Sequence, residues 1–80
     1  MLKLLDTTSD AYKRMIAEKA ELQKKVKALE EFLNKIKKGD VPTITPSEIE
    51  LLQEQHFYMN GYLRVLGFRI YHIESNEQGD

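Results

Sequence analysis

Apolar residues recur along this chain in alternating steps of three and four. From residue 12 the count gives Tyr12, Met15, Lys19, Leu22, Val26, Leu29, Leu33 and Ile36, with Lys19 the one polar interruption. That spacing keeps every member on one face of an α-helix. At ~1.5 Å per residue the segment is a rod roughly 40 Å long, with no interior of its own, so its stripe must be buried against something else. From residue 49 the same count gives Ile49, Leu52, His56, Met59, Leu63, Leu66, Ile70 and Ile73, again with a single polar interruption. Two equal stripes joined by the short stretch GDVPTIT predict an antiparallel helical hairpin. Pairing them tail to head sets Ile36 by Ile49, Leu29 near His56, Val26 by Met59, Leu22 by Leu63, and Lys19 near Leu66 and Gly67.

Boundary signals place the first helix over residues 10–38 and the second over 46–73. Thr7 with Asp10 fits a capping box at the first start, and Lys35, Lys37, Lys38 and Gly39 suit the end of that helix. Thr45-Pro46-Ser47-Glu48 restarts the chain with a capping threonine, a proline at the first helical position and a glutamate placed to reach back. Glu21 with Lys25 and Glu31 with Lys35 add acid-before-base pairs on the outer face. The expected organisation is one all-α domain: an arm over residues 1–9, docked or frayed, then the hairpin, then a flexible polar tail over 74–80. Gly67 inside a helix costs about 1 kcal/mol, and room for the stem of Lys19 or for a neighbouring backbone would explain it.

The hairpin does not use all the apolar residues. Leu51, Tyr58, Tyr62, Val65 and Phe68 form a second stripe on the second helix, with Phe57 and Tyr71 further round. A lone hairpin would leave them in water, so several copies are expected to pack as a symmetric homo-oligomer. An 80-residue chain, whose single core is small, gains from such assembly. There is no cysteine, which removes disulfides and thiol chemistry. The opening MLKLLD is too short for a signal peptide and no stretch suits a membrane span, so a soluble intracellular protein with no membrane association is expected. The net charge of −1 argues against duplex nucleic acid as a partner, although Lys19, Lys24, Lys25, Lys27, Lys35, Lys37 and Lys38 crowd the first helix.

Catalytic chemistry is hard to find. His56 and His72 lie sixteen residues apart, and there is no glycine-rich phosphate loop, metal-binding cluster or nucleophile-base pair, so no enzyme, metal or cofactor is expected. His56 reads as a hydrogen-bonded histidine of the seam. Tyr12 stands at the start of the first helix near Lys13, Arg14 and Lys19, with Lys24 and Lys27 one to two turns later. An aromatic ring beside cations suits a ligand with a flat base and a phosphate. The competing reading makes Tyr12 the end of the seam and the lysines a solvated face. Arg64 and Arg69 are likewise surface residues or anion ligands.

The segments MIAEKAELQKKVKALEEFL and LLQEQHFYMNGYLRVLGFRI, over roughly residues 12–73, resemble the small phage proteins of the anti-CBASS protein two family. The EKAEL run, the following L-x-x-F-L and the M-x-x-Y-x-x-V-L-x-x-R-I end carry the likeness. The resemblance implies an all-helical hexamer in the cytoplasm of an infected bacterium, a sponge that sequesters the cyclic di- and trinucleotide messengers of CBASS defence without cleaving them. It implies that dinucleotides sit between protomers on a tyrosine and a lysine, at positions matched by Tyr12 and Lys27. An arginine would take the phosphates of trinucleotides where several protomers meet, with Arg69 the first candidate and Arg64 the second. A threonine of that second pocket has no match in this chain. The alternative is a helical oligomerisation or adaptor module with no small-molecule ligand.

Overall fold

A computed structural model describes residues 7–78 and contains two helices, α1 (Asp10–Lys37) and α2 (Pro46–Gln78), packed along each other. The leucines expected to build or fray an N-terminal arm (Leu2, Leu4, Leu5) lie outside the described residues. The chain is a rod of 57 × 18 × 16 Å.

The first helix begins at Asp10, and its cap is Ser9 rather than the Thr7 of the expected capping box. Ser9 holds an extended backbone and its side chain accepts the Tyr12 N–H at 3.1 Å, satisfying one of the free donors of the first turn. Asp10 in that turn complements the positive end of the helix dipole. At the far end, Gly39 takes φ 81°, its N–H bonds to the Ile36 carbonyl at 3.0 Å, and the Asp40 N–H bonds to that of Lys35 at 3.0 Å. This paired closure needs a left-handed residue, which glycine adopts at no steric cost. Thr45 caps α2 by accepting the Glu48 N–H at 3.2 Å, while its hydroxyl donates to the Glu48 carboxylate at 3.4 Å.

Both seams lie as the periodicity predicts. All sixteen positions counted above are buried or half-buried, whereas on α1 every other residue except Ala11 is exposed. The tightest packing sits at the open end of the hairpin, where Met15, Leu66, Ile70 and Ile73 cluster with Tyr12 and Leu22 against them. Leu66, at 0% exposure, is its centre. The polar interruptions are accommodated: Lys19 is half-buried, and the His56 ring of α2 lies 3.1 Å from the Glu30 carboxylate of α1. A tautomer with Nε2–H donating to Glu30 leaves Nδ1 to accept from the Asn60 amide at 3.4 Å.

Two expectations are corrected. The tail placed at residue 74 is helical through Gln78, and its first residue, Glu74, reaches across to accept a hydrogen bond from α1. Gly67 does not make room for Lys19: a Cβ built there meets nothing within 4 Å, so no contact within the chain requires glycine.

A charged face, aromatic grooves and a braced tyrosine

Outside the seam the two helices differ in charge. Between its ends α1 carries eight Lys or Arg against five Asp or Glu, and α2 carries two Arg against five Glu. Lys24 and Lys27 project from α1 as exposed side chains. Lys13 and Arg14 line a shallow hollow with Asp10 and Ala17, which does not include Tyr12.

Tyr12 is half-buried. Its ring packs against the open-end core, and its hydroxyl donates to Glu74 Oε2 at 2.6 Å. Fifteen residues, or about 22 Å of helix, separate it from Lys27. A second tyrosine bridge joins the helices nearby, where the Tyr62 hydroxyl donates to the Glu18 carboxylate. That bond holds the Tyr62 phenol above its ordinary pKa of 10.0, with desolvation and the Glu18 charge adding to it and Arg69 pulling the other way. Neither cross-helix tyrosine bond was legible in the sequence, since Glu18 and Glu74 fall outside both apolar stripes.

Arg64 and Arg69 are exposed and belong to separate grooves on α2. Arg69 lines one of about 400 Å³ with Val65, Phe68, His72 and Ile73. Arg64 lines another of about 420 Å³ with Gly67, Phe68 and Tyr71. Phe68 is the wall between them. Each offers a guanidinium beside an aromatic ring, an arrangement that can hold an anion and stack on a base. A third groove, of about 320 Å³ near the turn, is lined from both helices and includes Glu30, Lys37, Gln53 and His56.

The aromatic face itself is broad. Leu51 (64%), Phe57 (71%), Tyr58 (63%), Phe68 (63%) and Tyr71 (67%) are largely exposed. The accessible surface of 6406 Å² exceeds the roughly 5,000 Å² expected of a compact monomer of this mass, so the hairpin buries less than its size allows. No helix among the described residues is long and apolar enough to cross a membrane.

No curated protein and no solved structure matches the chain at a significant level. A family profile described as Sequestin does match, over residues 9–72. That span begins at the Ser9 cap, covers α1, the turn and α2 as far as His72, and leaves only the two ends aside. The chain belongs to the Sequestin family.

Proposed function

We propose that this protein is a sponge for cyclic oligonucleotide messengers: it binds cyclic di- and trinucleotides such as 3′,3′-cyclic GMP-AMP, does not cleave them, and so deprives the CBASS defence of its signal inside an infected bacterium. The observation that carries the reading is membership, across the whole hairpin, of a family whose name denotes sequestration. The resemblance to anti-CBASS protein two supplies the ligand class. Capture works by mass action, since a ligand held tightly by an abundant protein leaves the free pool, and it asks for no catalytic group and no cofactor.

The geometry supports a shared site. Tyr12 and Lys27 are about 22 Å apart along α1, a wide span for one chain to close on a single dinucleotide. Two copies related by a two-fold axis would bring the tyrosine of one to the lysine of the other, giving a nearly two-fold ligand two stacking rings and two cations for its two phosphates. The exposed aromatic face of α2 supplies the apolar area to hold copies together, in the hexamer that the resemblance implies. At a junction of copies Arg69, with Arg64 behind it, would take the phosphates of a trinucleotide, while Lys19 and Lys24 add positive charge along α1.

Calorimetric titration and thermal melting with a panel of cyclic di- and trinucleotides test this. The expected result is a rise in melting temperature with at least 3′,3′-cyclic GMP-AMP, lost in Tyr12→Ala. No stabilisation by any member of the panel overturns it. The exposed aromatic face favours a second reading, a helical adaptor without a small-molecule ligand; it predicts an unmoved melting temperature and a protein partner recovered by pull-down.

A further inference from the structure

We infer that Glu74 is a positioning residue for the ligand site, acting through Tyr12, and that Tyr12 meets the ligand with its ring while its hydroxyl is committed to Glu74. The inference rests on the proposed function, but the residue lies two positions beyond the stretch that the family profile matches.

The Tyr12 hydroxyl and Glu74 Oε2 are 2.6 Å apart and both residues are half-buried. That length is typical of an O–H donor on a carboxylate, among the stronger hydrogen bonds available to neutral donors. Tyr12 is the third residue of α1, so Glu74 also sits beside the amino end of that helix, where the dipole favours negative charge. The ring packs against the open-end cluster of Met15, Leu66, Ile70 and Ile73 while Glu74 holds its tip, which leaves the side chain few orientations. A ring already ordered before binding loses little freedom when a base stacks on it.

The same bond sets what the tyrosine can recognise. A phosphate approaching the hydroxyl would meet the Glu74 carboxylate, and like charges at that range repel. Phosphate recognition therefore falls to the lysines, and the base falls to the ring.

The test titrates 3′,3′-cyclic GMP-AMP into the full-length protein and into Glu74→Ala, Glu74→Gln, Tyr12→Phe, Tyr12→Ala and the Glu74→Ala/Tyr12→Phe pair, with circular dichroism and sedimentation to follow fold and assembly. Glu74→Ala and Tyr12→Phe are each expected to weaken binding by roughly threefold to tenfold, the cost of ordering one side chain on binding. The double variant should lose no more than either single one, because both remove the same bond. Glu74→Gln should recover most of the affinity, since its amide oxygen still accepts the hydroxyl. Loss of binding in Tyr12→Ala with wild-type affinity in Glu74→Ala overturns the brace and leaves the sponge standing. Additive losses, or no rescue by glutamine, also overturn it, as does a Glu74→Ala defect that follows lost helicity while Tyr12→Phe binds normally. Absence of binding by the unmodified protein overturns the sponge, and the brace with it.

Discussion

The outward faces of the two helices are built on different chemistry although their seams follow the same rule. α1 shows water a surface of charge, including Lys24, Lys25, Lys27 and Glu21, with Ile16 (41% exposed) and Phe32 (37%) the large apolar exceptions. α2 shows Leu51, Phe57, Tyr58, Val65, Phe68 and Tyr71, rings and branched chains that gain free energy when covered. A seam decides that a hairpin forms; the faces behind it decide what the hairpin meets. On this comparison α1 is the side suited to a soluble anion and α2 the side suited to another apolar surface.

The widest break in that comparison comes from charging the aromatic face. Phe57→Asp, if copies meet there, places an uncompensated carboxylate in the interface at a cost of about 3–5 kcal/mol, and sedimentation should show monomers that keep their helicity. An unchanged mass would remove α2 as the assembly face. Leu66→Ala cuts the seam both faces depend on. It should lower folding stability by about 2–5 kcal/mol in denaturant titration, since Leu66 is fully enclosed, and a loss below 1 kcal/mol would mean the open-end core is not what holds the helices together.

Lys27→Ala sharpens the other side. It should reduce dinucleotide affinity by about 1.5–3 kcal/mol, the range for a hydrogen bond to a charged group, while the melting temperature without ligand stays put. A drop in that melting temperature would return the lysine to a structural role. Gly67→Ala asks whether anything outside the chain approaches α2 closely. Within the hairpin the added methyl meets open space, so stability should rise by about 0.8–1 kcal/mol from helix propensity, and a fall would point to a neighbour packed on the glycine.

The smallest effect is the pH dependence of the Tyr62–Glu18 bridge. Because the folded-state pKa is raised, the protonated phenol favours folding; that contribution is fully present below the ordinary value of 10.0 and is lost as pH rises through the raised one. Tyr62→Phe should remove this slope from melting curves taken at alkaline pH. A slope that survives the substitution assigns it to another group.

Much of the fold was legible because periodicity is a local property. Every apolar seam position from Tyr12 to Ile73 is protected, and the Thr45 cap and the Gly39 stop lie where their residue types place them. The first cap was harder, since Thr7, Thr8, Ser9 and Asp10 all offer an acceptor and only the backbone path selects Ser9. The candidate site was legible only in part. Tyr12, Lys27, Arg64 and Arg69 stand out as residue types on helix faces, but spacing does not reveal that Arg64 and Arg69 open onto different grooves with Phe68 between them.

By itself, then, the sequence determined two amphipathic helices, the turn between them and their antiparallel return, because spacing along a helix and the chemistry of the Gly39 stop and the Thr45 cap act over a few residues. Only the tertiary structure decided that α2 runs on to Gln78, that Glu74 meets Tyr12 and Glu18 meets Tyr62, and that Gly67 faces open space. Such contacts join residues tens of positions apart, and their existence depends on the rotation and offset of one helix against the other, which no repeat along either helix encodes.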